Sequence, residues 1–133
     1  KKKLLIVEGE QSRLGVGNEL FNNASEIRRI LCPVTNAFDK YDNILETIKL
    51  TPKNFLILIA LGHTATILAY DLSKIGYQAI DIGHIDIEYE WMRMKAKNKV
   101  AVPNKYVNET ANGRISTTLD DPIYKSQIIC NIK

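Results

Sequence analysis

Cysteine, long apolar runs and clustered positive charge are all scarce in this chain, and each shortage closes off a class of function. Cys32 and Cys130 are the two cysteines among 133 residues; they lie far apart, each inside an apolar run, and neither belongs to a Cys-x-x-Cys unit. That argues against a disulfide-stapled scaffold and leaves buried free thiols in a reducing compartment as the expectation. No apolar run approaches the roughly 20 residues of a membrane span, and no signal peptide opens the chain. The expected location is therefore cytoplasmic, with any membrane contact peripheral, at the inner membrane face. The formal charge is only +3, and Lys1-Lys2-Lys3 supplies it. The other basic residues are scattered, without an arginine–aromatic stripe, which argues against nucleic acid as a partner.

What the chain does contain is a sequence of short apolar runs separated by amphipathic stretches. Its length suits one domain, 1–133. Residues 4–7 and 27–32 read as strands, the second stopped by Pro33. The spacing of Tyr41, Ile44, Leu45 and Ile48 predicts a helix over 39–50. Residues 55–61, the most hydrophobic stretch, read as the central strand. A helix opens after Gly62-His63, with Thr64 as its cap, and stops at Gly76. A fourth strand is expected over 78–82, and a further helix from beyond Asp86 to about residue 96. Residues 105–107 and 127–130 read as short strands flanking a polar loop, 108–121, with turn signals at Asn112-Gly113 and Asp121-Pro122. Strands alternating with helices through short joins define an α/β fold: Rossmann-like, a mostly parallel sheet with helices on both faces.

Three stretches carry candidate chemistry. Gly15-Val-Gly-Asn-Glu-Leu20 follows a strand and looks like the front of a dinucleotide fingerprint, yet Leu20 replaces the third glycine. The acidic residue that would hold a ribose after the second strand is also missing, which argues against a nicotinamide cofactor. The loop either uses glycine for backbone freedom or presents amides to a sugar or phosphate, with Arg13 as partner for an anion. Gly62-His63-Thr64-Ala65-Thr66 stands where the central strand hands over to a helix, the edge at which open α/β sheets gather ligands and free amides hold phosphate. The third stretch, 84–91, alternates: His84, Asp86, Glu88 and Glu90 are polar, and Ile85, Ile87, Tyr89 and Trp91 are apolar. Extended, it would put the histidine and three carboxylates on one side, where a proton or a cation must relieve their repulsion. Helical from Asp86, it would leave Asp86 and Glu90 on one face and point Glu88 away. A half-exposed strand, or a first helical turn with favoured acids, would show the same pattern with no chemistry at all.

Several strings together resemble the GT-D glycosyltransferase family, once a domain of unknown function in bacterial gene sets that glycosylate surface proteins and polysaccharides. They are Val7-Glu8-Gly9-Glu10, 12–18 from Ser12 to Asn18, Asn36-Ala37-Phe38-Asp39, Gly62 to Thr66, Asp81 to Trp91, and Asn104 to Glu109. The resemblance implies transfer of a hexose from a UDP-hexose donor to a glycan or glycoprotein acceptor. It also implies a divalent metal, manganese before magnesium, held by an Asp-x-Glu motif matched here by Asp86 and Glu88. A hard cation with oxygen ligands would neutralise the departing diphosphate. The donor-site residues it suggests are Glu10, Arg13, Gly15, Gly17, Asn18, Gly62 and Thr64, with His84 or Glu90 as the catalytic base. Relatives carry an additional N-terminal segment with an Arg-Phe-Gly-Asp-Gly-Glu type motif, so this chain is expected to be a C-terminal portion. A homo-oligomer is compatible with the pattern. The alternatives are a nucleotide- or sugar-binding module without turnover and, third, another Rossmann-like enzyme such as a methyltransferase.

Overall fold

In the computed structural model, which describes residues 1–107, 110, 113 and 120–133, the chain forms a five-stranded sheet. The strands are β1 (Lys3–Gly9), β2 (Glu26–Cys32), β3 (Phe55–Ala60), β4 (Gln78–Asp81) and β5 (Ile128–Asn131), in the spatial order β4-β3-β1-β2-β5. Every pairing is parallel. The helices are α1 (Tyr41–Ile48), α2 (His63–Lys74), α3 (Ile85–Arg93) and α4 (Pro122–Gln127), and a single 3-10 turn, Ala37–Lys40, leads into α1. The α/β architecture expected from the alternation is the one observed.

Alternate residues of a strand face opposite sides, and here the two sides differ in kind. Leu5, Val7, Ile30, Cys32, Ile57 and Ile59 share one face and are fully or almost fully buried. Ile44 and Ile48 of α1 and Ala65, Leu68 and Leu72 of α2 complete this core. Each such side chain contributes about 2 kcal/mol by leaving water. On the other face, Leu4 and Ile6 are followed by Glu8, and Arg29 stands beside Leu31, all of them buried. The cover on that side is the irregular 10–25 loop, through Leu14, and α4, whose Tyr124 ring lies under the Arg29 guanidinium at 5.0 Å. A small satellite cluster of Ile87, Trp91, Val102 and Val107 fastens α3 to the 100–107 segment.

Several expected boundaries shift for local reasons. The helix expected over 39–50 begins as the 3-10 turn and becomes α-helical at Tyr41. Thr64 does not cap α2: Gly62 holds the N-cap position at φ 55°, and Thr64 is buried inside the first turn. Residues 105–107 are not a strand; the segment turns at Asn104 (φ 62°) and is tied to the 10–25 loop by the Tyr106 amide donating to the Gln11 carbonyl at 2.9 Å. Asp121-Pro122 is a helix start rather than a plain turn, because the Asp121 carboxylate accepts from the Tyr124 amide and proline suits the first helical turn. Gln127 therefore ends α4, and β5 starts one residue later. Most of the polar loop expected over 108–121, Asn112 included, lies outside the described residues.

Candidate functional site

All five strands run in one direction, so their C-terminal ends share an edge, the rim where ligands settle in open parallel sheets. A cleft of about 560 Å³ lies there. Gly9 and Ser12 line it from the end of β1, and Pro33 to Phe38 from the end of β2. Leu61, Gly62, His63 and Thr64 come from the β3–α2 junction, Gly83, His84, Asp86 and Ile87 from the β4–α3 junction, and Tyr106 and Val107 close the far wall. Gly62 and Gly83, at φ 55° each, make the sharp strand-to-helix turns that aim two helix N-termini at this space. The Thr64 and Ala65 amides donate to the Leu61 and Gly62 carbonyls, each at 3.2 Å, so what the start of α2 offers an anion is the positive end of the helix dipole. Asn36, also left-handed at φ 55°, and the exposed Phe38 ring stand on the β2 side.

The carboxylates are arranged differently from the expected chelate. α3 begins at Ile85, so Asp86 and Glu88 both fall in its first turn, and residues two apart on a helix point to opposite sides. Asp86 turns inward and is 1% exposed, and both of its oxygens are engaged. Oδ1 accepts from the Gly15 amide at 2.7 Å and the Asn18 side-chain amide at 3.0 Å. Oδ2 accepts from Lys105 Nζ at 2.6 Å. Glu88 turns outward, more than half exposed, and faces His84 Nδ1 at 3.4 Å. The expected convergence of Asp86 and Glu88 on a cation is therefore corrected: the residues are on opposite flanks of a helix, and the inner one already holds an ammonium. Among the described residues no three His, Cys, Asp or Glu side chains gather as a metal site. As arranged, the Asp-x-Glu pair does not fit a divalent ion. The helical alternative for this stretch is the one that holds, since Asn18 Nδ2 bridges Asp86 and Glu90, bonding Glu90 Oε1 at 3.0 Å.

The other expected site residues divide into three groups. Gly62, Thr64 and His84 line the cleft. Gly15, Asn18 and Arg13 shape its surroundings instead of facing it: Gly15 and Asn18 hold Asp86, and Arg13 is buried with NH1 on the Asn104 carbonyl at 2.8 Å. Gly15 must be glycine, because at φ 74° a Cβ there would run into the Phe21 ring. Glu10, Gly17 and Glu90 lie off the cleft wall. Glu10 is exposed, Gly17 is open to solvent, and Glu90 Oε1 accepts from the Asn18 side-chain amide and from Arg93 at 3.1 Å.

Sequence reading missed Glu8, Arg29 and Lys105. Arg29 NH1 lies 2.9 Å and 3.2 Å from the two Glu8 oxygens, NH2 donates to the Leu14 carbonyl, and Nε donates to Gln127 Oε1. The Leu14 amide donates to Glu8 as well, so one buried network ties β1, β2, the 10–25 loop and α4 together. Burial pushes the Glu8 carboxyl up to about 7, against the downward pull of Arg29 and the Leu14 amide, with the nearby Asp86 charge adding to the rise. The available signal was a charged residue, Glu8 or Arg29, inside an otherwise apolar strand run. Lys105 carried only its place in the Asn104-Lys105-Tyr106 string.

A parallel sheet with helices, whose C-terminal rim forms a largely apolar cleft between two helix starts, defines an α/β domain of the glycosyltransferase type. The chain belongs to the GT-D glycosyltransferase family: the family model for the glycosyltransferase GT-D fold matches residues 1–110. It is 47% identical over 131 residues to a probable glycosyl transferase, Gly, of Streptococcus gordonii, and 46% identical to the glycosyltransferase GlyD of Streptococcus pneumoniae. Those matches take in 98% of this chain but 19% and 16% of the two relatives, so the chain spans less than a fifth of their length. A solved structure described as a domain of unknown function with a distinct glycosyltransferase fold superposes with a TM-score of 0.92 at 49% identity, over 99% of this chain and 48% of that one. A glycosyltransferase from Streptococcus sanguinis gives 0.93 at 48% identity, over 99% and 49%. No helix among the described residues is long and apolar enough to cross a membrane.

Proposed function

We propose that the rim cleft is the donor site of a hexosyltransferase that moves a sugar from a UDP-hexose to a glycan or glycoprotein acceptor. The observation that carries this is the convergence of the α2 and α3 N-termini on a cleft of nucleotide size in a chain of the GT-D family. The diphosphate sits at the start of α2 beside Gly62, where the dipole of a 12-residue helix offsets the charge growing on the departing UDP. The nucleoside extends along the β2 side, with Phe38 as an apolar plate beside the base and Asn36 beside the ribose.

His84 is the group at the cleft mouth able to take a proton. Its ring is half exposed, Nδ1 faces Glu88, and its edge lies against Trp91 with centroids 6.4 Å apart. Glu88 thus orients the base. The acceptor hydroxyl gives its proton to His84, its oxygen bonds to the anomeric carbon, and the bond from that carbon to the diphosphate oxygen breaks. A divalent ion would supply further neutralisation of the diphosphate, but Asp86 and Glu88, on opposite flanks of α3, do not present a joint seat for one.

The test is a thermal-shift screen of S-adenosylmethionine and of UDP-, GDP- and CMP-sugars with and without manganese, followed by assay of donor hydrolysis. A native-state ligand at 100 times its dissociation constant adds about 2.7 kcal/mol of stability. UDP-hexoses are expected to stabilise selectively and to be turned over. Stabilisation without turnover supports the binding-module reading, and preference for S-adenosylmethionine overturns both.

A further inference from the structure

Asp86 and Lys105 form a buried ion pair beneath the cleft, at 2% and 4% side-chain exposure and 2.6 Å apart, and no expected function uses it. Each partner belongs to a different piece of the wall. Asp86 stands in the first turn of α3 and touches the cleft; Lys105 precedes Tyr106 and Val107, which close its far side. The same Asp86 carboxylate holds the Gly15 amide and Asn18, so it pins the 10–25 loop too. Around this node the loop and the 102–107 segment are laced twice more, by Arg13 to the Asn104 carbonyl and by the Tyr106 amide to the Gln11 carbonyl. Three segments, one 71 residues before Asp86 and one 19 residues after it, thus meet on one carboxylate.

We propose that Lys105 is the built-in cation of this site: a positioning residue that occupies Asp86 in place of a metal ion and, through it, fixes the loop and the far wall around the donor. Two physical arguments support it. A lone carboxylate facing a cleft that takes a diphosphate would repel its ligand, whereas the pair is neutral. Also, a coordination shell needs open oxygens, while both oxygens of Asp86 already accept three donors within 3.0 Å. The inference rests on the reading of this cleft as the donor site, yet its main predictions concern metal affinity and stability, which do not depend on turnover.

The experiment compares the intact protein with Lys105→Met, Asp86→Asn and the double variant in three readouts: manganese binding by electron paramagnetic resonance, thermal melting, and UDP binding. Asp86→Asn is expected to leave manganese affinity within about twofold of the parent, and Lys105→Met is expected not to raise it. Each single change lowers the melting temperature and weakens UDP by about tenfold or more, while the double variant melts above the worse single, because no charge is then left buried alone. Loss of manganese binding in Asp86→Asn overturns the proposal. So does a gain of about tenfold in Lys105→Met, which would mean that the lysine merely masks a metal ligand. If neither parent nor variants bind manganese, the melts decide: recovery in the double variant sustains the pair, and strictly additive losses overturn it. Failure of UDP binding in the parent refutes the donor reading and leaves the metal and melting results to judge the pair.

Discussion

The two faces of the sheet are held together by different physics. Under α1 and α2 the contacts are aliphatic, periodic and interchangeable in kind: Leu5, Val7, Ile57 and Ile59 against Ile44, Leu68 and Leu72. Beneath the 10–25 loop and α4 the sheet buries Glu8 and Arg29, and close by, Asp86 and Lys105. Apolar packing tolerates exchange of shape for shape. A buried ion pair does not, because losing one partner strands the other in a medium that cannot solvate it. The aliphatic face supplies a platform, and the ionic face shapes the rim cleft from loops that have little core of their own.

The sharpest way to break this contrast is Arg29→Met. It strands Glu8 and releases the Leu14 carbonyl and Gln127, so a loss of about 3–5 kcal/mol is expected in denaturant unfolding. The double variant Glu8→Leu with Arg29→Met should recover much of that loss. Leu68→Ala, on the aliphatic face, should cost about 2–5 kcal/mol through the cavity it leaves, with UDP affinity per folded molecule unchanged. If Leu68→Ala altered the cleft as much as Arg29→Met, the division of labour would fail.

Smaller effects sharpen it. Phe38→Ala is expected to weaken UDP-sugar binding by about 1–3 kcal/mol in calorimetry, with little change in melting because the ring is 56% exposed. The Glu8 carboxyl gives a pH signature. Its folded value, about 7, stands above the unfolded 4.5, so the native state keeps a proton that the unfolded chain releases between them. Stability contributed by that proton is complete below about 4.5 and is lost as pH rises through about 7. Melting temperatures across that window should show the decline, and Glu8→Gln should flatten it. Smallest of all, Glu88→Ala should stay within about 0.5 kcal/mol in stability while slowing transfer, since its partner is His84 at the cleft mouth.

How legible the molecule was in its sequence follows the same division. The strands and the helices flanking them announce themselves because strands buried on both faces leave continuous apolar runs and helices leave period-3.6 stripes, and β1, β2, β3 and α2 were all readable to within a few residues. Polar pairs leave none: Asp86 finds Lys105 nineteen residues on and Gly15 seventy-one residues back. The 84–91 alternation was ambiguous because acids suit a first helical turn as well as a strand edge, and only the tertiary contacts of Asn18 settle which face Asp86 and Glu90 share. The short α4 was read as a turn because Asp-Pro opens both. Cleft residues such as Gly62 and Thr64 were found through topology, since the end of a central parallel strand is a ligand position whatever the ligand.

The most direct test of the cleft assignment is amide chemical-shift mapping of the protein titrated with UDP. Saturable shifts concentrated at Gly9, Ser12, Gly62, His63, Thr64 and Gly83 around the rim are expected. Shifts that cluster instead on the apolar groove at the opposite end of the strands, around Leu4, Phe21 and Leu56, would contradict it.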